Sequence, residues 1–164
     1  MDDRVAEVPV CGEPACLVLT ASHRGAATRM GVAIAGHLGA LGLPARAVAM
    51  DAAPPDAVAA APALVFCTST FGSGGVPPQA EGLLAAIEAG ALALAGRPVA
   101  VVGLGDSSFR DTYNGGSRRF AAALEASGAR IIAPLLLVDA SAPHLRPDIA
   151  GWAAGLAQAL AARA

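Results

Sequence analysis

Hydroxyl groups, one aromatic ring and several glycines follow a short apolar run near the middle of the chain. Ala63–Cys67 is uninterrupted in its apolar character, which is typical of a parallel strand that is buried on both faces. Thr68, Ser69 and Thr70 come next, followed by Phe71 among glycines. Small-molecule sites of open α/β folds lie at the carboxyl ends of strands. This stretch therefore predicts a binding site at the edge of a sheet.

A second candidate loop follows the first predicted strand, Cys16–Ala21. It runs from Ser22 to Ala27 and contains small residues around Gly25 before a predicted helix. Free backbone N–H groups and the helix dipole at such a position suit a phosphate dianion. A plain turn in which Ser22 caps the helix is the alternative interpretation.

Aromatic side chains are concentrated in two of the predicted loops. The chain contains one Trp, one Tyr and four Phe. Phe71 lies in the loop after the Ala63–Cys67 strand, and Phe109 and Tyr113 lie in the loop after a predicted strand at Pro98–Leu104. A ring on a loop is available to stack on a flat ligand, although Phe71 could instead pack back onto Val76. The concentration favours a flat aromatic ligand.

Several other classes of site find no support. The chain has no Lys, so a phosphate-binding P-loop is excluded, and Gly103-Leu104-Gly105 has Ser108 where a dinucleotide fingerprint needs a third Gly. There is no Gly-x-Ser-x-Gly motif and no set of ligands at metal-binding spacing. The net charge is −2 without a basic block, which argues against nucleic-acid binding.

Composition also bears on cellular location. Although 55% of the residues are hydrophobic, the sequence has no run of about 20 strongly apolar residues, so no membrane span is expected. The acidic N-terminus lacks a signal-type apolar core, which makes the cytoplasm the expected location. Three cysteines without such a signal indicate reduced thiols.

Strand and helix patterns alternate along the chain. We expect residues 1–14 to form a loose leader and residues 15–164 to form a single domain. The predicted strands are Cys16–Ala21, Arg46–Met50, Ala63–Cys67, Pro98–Leu104 and Ile131–Val138. Their alternation with helices predicts a doubly wound α/β fold with a five-stranded parallel sheet of order 2-1-3-4-5 in three α/β/α layers. In that order the ends of the first, third and fourth strands are adjacent.

Two of the loops resemble those of a known family. Thr68-Ser69-Thr70-Phe71-Gly72-Ser73-Gly74-x-x-Pro77-Pro78 and Gly103-Leu104-Gly105-Asp106-Ser107-Ser108-Phe109 are similar to the second and third flavin loops of the flavodoxin-like domain. They look closest to the form found in diflavin reductases such as sulfite reductase flavoprotein, microsomal cytochrome reductase and nitric oxide synthase. The resemblance extends from about Cys16 to Trp152.

The resemblance implies non-covalent binding of FMN and transfer of one electron at a time. Phe71 and Phe109 would stack on opposite faces of the flavin ring. The remaining implied contacts fall into a phosphate group and a ring-edge group: Ser22, His23, Arg24, Gly25, Ala26 and Ala27 for the phosphate, and Thr70, Gly72, Gly74, Leu104, Gly105, Asp106, Tyr113 and Asp139 for the ring and its surroundings. No catalytic side chain and no metal is implied.

The first loop departs from the family pattern, which is roughly Ser/Thr-x-Thr-Gly-x-Thr. Arg24 and Ala27 occupy the two Thr positions; two hydroxyl donors are lost, each worth about 0.5–1.5 kcal/mol. Arg24 could offset that loss through a charge-assisted contact.

Three functional hypotheses remain open at this point. The first is an electron carrier that takes electrons from a separate flavin or ferredoxin-type reductase and passes them to a redox acceptor protein. The second is a flavodoxin-fold reductase of quinones or other small acceptors. The third is a non-redox binding module that has lost FMN through its altered first loop.

Overall fold

The computed structural model describes residues 14–70, 75–106, 113–139 and 147–162, in which strands alternate with helices. The strands are β1 (Cys16–Ala21), β2 (Ala45–Ala49), β3 (Ala63–Ser69), β4 (Pro98–Gly105), β5 (Arg130–Ile131) and β6 (Leu136–Asp139). The helices are α1 (Ala26–Ala40), α2 (Pro55–Ala60), α3 (Pro78–Glu88), α4 (Gly115–Ala126) and α5 (Ile149–Ala161). The expected leader, residues 1–14, lies outside the described residues except for Pro14.

The strands form one parallel sheet of order β2-β1-β3-β4-β5, with β6 also paired to β4. This confirms the predicted doubly wound α/β fold and its strand order. β1 and β3 read as continuous apolar runs because helices cover both faces of the sheet. The helices α1 and α5 pack on one face through residues such as Ile34 and Leu156. Helices α2, α3 and α4 pack on the other through Val58, Leu84 and Phe120.

The single fifth strand predicted over Ile131–Val138 is wrong in its continuity. The structure contains two short strands there, β5 and β6, and both pair with β4. Pro134 lies between them and has no N–H to donate to a ladder. Its carbonyl instead accepts a hydrogen bond from the indole Nε1 of Trp152, at 2.8 Å. This hydrogen bond links α5 to the segment between β5 and β6.

The segment between β2 and β3 contains only a short helix, as its prolines predict. α2 is six residues long and begins at Pro55, directly after Pro54. Proline favours the first helical position, which places the start of α2 at Pro55, and Pro62 follows the last helical residue by two positions, where it prevents continuation. A groove of about 330 Å³ remains beside α2 and β2, lined by Leu17, Val48 and Ala57 among others. None of the predicted site residues lines it.

The described residues also bear on metal binding and on membrane-spanning helices. Within the part of the chain that the structure describes, no group of three or more His, Cys, Asp or Glu side chains could hold a metal ion. None of the helices described is long and apolar enough to cross a membrane.

The core on the α3–α4 face depends on a pair of aromatic rings in contact. Phe66 of β3 and Phe120 of α4 are both fully buried, with ring centroids 5.5 Å apart. We predict that Phe120→Ala lowers the free energy of unfolding by about 3–5 kcal/mol, because it removes this contact and leaves a cavity. Urea unfolding measures the change. The control Leu41→Ala, at a side chain that is 52% exposed, should stay within about 0.5 kcal/mol of wild type. Equal effects of the two substitutions would contradict the assignment of Phe120 to the core.

Candidate functional site

The sheet register brings the ends of β1, β3 and β4 to one edge. Ala21 pairs with Thr68, and Ser69 pairs with Leu104. The loops that leave these strands therefore start side by side. Four of the predicted site residues, Phe71, Gly72, Gly74 and Phe109, lie outside the described residues. The other twelve are described, and they belong to loops, to strand ends or to the first turn of α1: Ser22, His23, Arg24, Gly25, Ala26, Ala27, Thr70, Leu104, Gly105, Asp106, Tyr113 and Asp139.

The first loop forms a turn that leads directly into α1. Gly25 occupies the N-cap position with φ of 85°, a left-handed conformation that glycine adopts without steric cost. The Ser22 hydroxyl accepts a hydrogen bond from the N–H of Ala27, at 3.3 Å. Ser22 thus caps the first turn through its side chain, although Gly25 holds the formal N-cap position. Ala27 is fully buried, and its methyl group has no donor to offer a ligand.

Two side chains from neighbouring elements hold the start of this loop. The N–H of Ser22 donates to Oε1 of Gln79 (2.9 Å), a residue in the first turn of α3. The N–H of His23 donates to the hydroxyl of Ser69 (3.3 Å), the last residue of β3. These N–H groups are therefore used within the protein. Among the described residues, no acceptor meets the N–H groups of Arg24, Gly25 and Ala26, which leaves them for an anion.

Gln79 was missed by the sequence reasoning. Nothing in a single glutamine after two prolines indicates that it reaches the first loop, which is 57 residues away along the chain. The one available signal is its position early in α3, which starts from the candidate edge of the sheet.

The second loop begins with Thr70, which extends the β3–β4 pairing by one step. Its N–H donates to the carbonyl of Leu104, at 3.0 Å. The hydroxyl Oγ1 of Thr70 is buried and has no hydrogen-bond partner among the described residues. A buried hydroxyl left in this state costs about 1–3 kcal/mol. Thr70 therefore presents an unused polar atom at the predicted site.

The third loop follows β4, whose end lies beside the end of β6. Leu104 and Gly105 close β4, and Gly105 pairs with Asp139 at the end of β6. Asp106 follows Gly105, and all four residues are partly exposed. On the far side of the loop Tyr113 is also partly exposed, and its carbonyl accepts a hydrogen bond from Nε of Arg118 (3.3 Å).

Asn114 is a second polar residue that the sequence reasoning missed. It is fully buried and adopts the left-handed conformation, with φ of 54°, at the N-cap of α4. Within the described part of the chain, neither Oδ1 nor Nδ2 of its side chain has a hydrogen-bond partner. The available signal was an Asn before two glycines at a helix start, since Asn tolerates this conformation better than most residues. Its amide adds an unused donor and acceptor near Thr70 and Leu104.

Close packing at this point requires glycine in the neighbouring strand. A Cβ atom at Gly105 would lie 2.9 Å from the backbone nitrogen of Asn114, and one at Gly103 would collide with the Ser117 hydroxyl. A Cβ at Gly116 would lie 2.9 Å from the carbonyl oxygen of Ser69. The start of α4 therefore packs directly against the ends of β3 and β4.

The charges at the site are divided between its two ends. His23 and Arg24 are exposed in the first loop, and Arg29 of α1 lies beside Gly25. Asp106 and Asp139 lie at the other end, after β4 and in β6. Such a distribution suits a ligand with an anionic group at the α1 end and an uncharged polar part near β4.

The described residues fit a phosphorylated ligand that also carries hydrogen-bonding groups. Backbone N–H groups at the N-terminus of α1 can hold the phosphate. The buried unpaired atoms of Thr70 and Asn114 can hydrogen-bond a polar ring edge. No side chain in this set is arranged as a nucleophile with an adjacent base. The arrangement is therefore suited to binding and tuning a cofactor.

Comparison with known proteins gives consistent matches. The sequence model of the family described as "Flavodoxin" matches residues 18–152. A flavodoxin from Pseudomonas aeruginosa, solved as a mutant with one cysteine replaced by alanine, superimposes with a TM-score of 0.78 at 33% identity, over 89% of this chain and 98% of that one. A Streptococcus pneumoniae flavodoxin superimposes with a TM-score of 0.77 at 23% identity, over 91% and 99% of the two chains.

A curated relative matches over a shorter stretch. The uncharacterized protein PA3435 of Pseudomonas aeruginosa is 37% identical over 99 residues, which is 60% of this chain. The matched stretch spans 66% of that relative's length, just under two thirds.

The buried cysteines provide a first test of this part of the structure. Sγ of Cys67 donates to the carbonyl of Ala27 (3.3 Å), directly below the first loop. Burial raises the pKa of both Cys67 and Cys16 to about 12. At pH 8 only about one molecule in ten thousand should then carry either thiolate. We predict that iodoacetamide leaves both residues unmodified in the folded protein and modifies both in denaturant, as read by peptide mass spectrometry. Rapid labelling of folded Cys67 would contradict this packing.

The bond from Ser22 to Gln79 provides a second test. We predict that Gln79→Met loosens the first loop, because a partly buried N–H loses its acceptor at a cost of about 1–3 kcal/mol. Hydrogen exchange at the Ser22 amide should become faster. Gln79→Glu keeps an acceptor oxygen and should preserve slow exchange. The matched control is Gln158→Met, at the exposed glutamine of α5. Unchanged Ser22 exchange in Gln79→Met would show that this bond does not hold the loop.

Proposed function

Because the chain belongs to the flavodoxin family, we propose that it binds FMN and carries single electrons between a separate reductase and an acceptor protein. Flavodoxin family members bind FMN, and flavodoxins are electron carriers that work with redox partners. FMN, when bound, supplies the one-electron chemistry, while the protein supplies binding, orientation and electrostatics.

One observation supports this proposal most directly. Unused N–H groups at the start of α1 lie at the same sheet edge as the unpaired buried atoms of Thr70 and Asn114. Buried polar atoms are rarely left without partners, and a ligand that bonds them would remove the cost. A ligand with a phosphate at one end and a polar ring at the other would engage both groups.

The residues of the first loop would hold the phosphate in this proposal. The N–H groups of Arg24, Gly25 and Ala26 would donate to it, and Ser22 would keep the turn in shape through its bond to Ala27. Arg24 would add positive charge from an exposed position, and His23 is exposed beside it.

The other two loops would surround the ring. Thr70 and Asn114 would hydrogen-bond its polar edge, and Leu104 with Gly105 would line it from β4. Asp106, Tyr113 and Asp139 would set the polarity around it. We also propose that Phe71 and Phe109 stack on the ring and that Gly72 and Gly74 let the second loop approach it, as the resemblance of these loops implies.

The electron donor would be a separate flavin or ferredoxin-type reductase, and the acceptor would be another redox protein. The similarity of the second and third loops to diflavin reductases remains a prediction, because the matches described above are to flavodoxins. A cytoplasmic location likewise remains a prediction from the sequence.

A binding module without FMN is the second candidate, and the first loop supplies the reason. Position 27 offers a ligand neither a hydroxyl nor a free N–H, because Ala27 is buried and its N–H bonds Ser22. The double variant Arg24→Thr, Ala27→Thr restores hydroxyls to both positions. FMN binding that appears only in this variant would favour the binding module, whereas binding in the natural chain would favour the carrier. The melting temperature of the apo variant controls for strain at the buried position 27.

The decisive experiment is an absorption spectrum of the purified protein, followed by FMN titration of the apo form. We predict saturable quenching of flavin fluorescence and a melting temperature that rises with FMN. At a free concentration one hundred times Kd, the stabilisation should be about 2.7 kcal/mol. Unchanged fluorescence and unchanged melting at saturating FMN would overturn the proposed function. Steady oxidation of NAD(P)H by the protein alone would instead favour a reductase of quinones or other small acceptors.

A further inference from the structure

Arg29 has an unusual position at the start of α1. It lies in the fourth helical position, one turn after Gly25. Helical side chains point back toward the N-terminus of their helix, and the Arg29 side chain follows this rule. A Cβ atom built at Gly25 would lie 3.0 Å from Nη1 and 3.9 Å from Cζ of Arg29. The guanidinium group therefore lies against the first loop.

This is an unfavourable end of a helix for a cation. The N-terminus of a helix carries a partial positive charge, so it favours anions. The first turn of α1 has no acidic residue, and the described residues provide Arg29 with no ion-pair partner. Arg24 adds a second guanidinium group to the same loop. An anion held between this loop and Arg29 would remove the repulsion.

We infer that Arg29 binds the phosphate group of the flavin and makes the site selective for FMN over the unphosphorylated flavin. Because this role presupposes flavin binding, it rests on the proposed function above. Position 27 presents no donor to the ligand, so the neutral donors of the loop are the N–H groups of Arg24, Gly25 and Ala26, and a dianion still lacks a charged partner there. A guanidinium group offers two parallel N–H donors that match phosphate oxygens.

Either Arg29 or Arg24 could supply the positive charge that binds the phosphate. Both side chains are exposed, but only the guanidinium group of Arg29 is placed against Gly25. Arg29 is anchored on a helix, so less conformational entropy is lost when its fork meets a phosphate. The larger effect on phosphate recognition should therefore belong to Arg29.

The test compares two ligands that differ only in the phosphate. Apo forms of wild type, Arg29→Gln, Arg29→Lys and Arg24→Gln are titrated with FMN and with riboflavin, and Kd is read from flavin fluorescence. The matched control is Arg130→Gln. Arg130 is an exposed residue of β5 and pairs with the first residue of β4, at the end of the sheet away from the candidate site. Melting temperatures of the apo forms show that each variant is folded.

We expect Arg29→Gln to weaken FMN binding by about ten- to a hundredfold, the range for a hydrogen bond to a charged group, and to change riboflavin binding less than twofold. Arg29→Lys, which keeps the charge but loses the fork, should fall between wild type and Arg29→Gln. The FMN affinity of wild type should fall more steeply with added salt than that of Arg29→Gln.

Distinct results would overturn this role. FMN binding by Arg29→Gln that equals wild type, or an equal loss for FMN and riboflavin, would show that Arg29 does not recognise the phosphate. A loss of FMN binding in Arg24→Gln with none in Arg29→Gln would assign the charge to Arg24. If wild type bound neither flavin, the proposed function itself would fail, and the role of Arg29 with it.

Discussion

The hydrogen-bond register of the three central strands is the constraint on which the rest of the structure depends. β1 pairs with β3, and β3 with β4, along nearly their whole lengths. Their side chains are buried on both faces between two layers of helices, so a shift of one residue would exchange the residues facing each layer. Because this register cannot slip, the loops that follow Ala21, Ser69 and Gly105 leave the sheet at neighbouring points.

Direct contact between backbones completes the edge of the sheet. The start of α4 packs against β3 and β4 where Gly103, Gly105 and Gly116 have no side chains. Asn114 is fully buried at this contact. Its side-chain amide has no hydrogen-bond partner among the described residues. Proteins retain such costs at functional sites, where a ligand or solvent can satisfy the unpaired polar group. The same packing that stabilises the helix therefore creates the polar features of the site.

Hydrogen bonds link the first loop to β3 and to α3. Gln79 and Ser69 hold the N–H groups of Ser22 and His23, so the turn before α1 is positioned by the elements that flank the second loop. Because these two N–H groups are already bonded, those of Arg24, Gly25 and Ala26 remain for an anion. A carrier protein benefits from such preorganisation, because less ordering has to occur when the cofactor binds.

The sequence by itself determined the fold class, the strand order and the edge of the sheet at which the candidate site lies. It could do so because continuous apolar runs, glycines and prolines act locally, and because parallel sheets allow few topologies. The departure at Arg24 and Ala27 was also visible in the sequence alone.

Only the tertiary structure decided which atoms face the site. Gln79 bonds a loop that is 57 residues away along the chain, and the packing of α4 against β4 decides that the Asn114 side chain is buried. The break between β5 and β6 did have a local signal, because Pro134 stands inside the predicted strand and has no N–H for a ladder; only the tertiary structure shows that its carbonyl accepts a hydrogen bond from Trp152. Local chemistry specifies elements and their order, whereas contacts between distant residues become defined only when the sheet and its helices pack together.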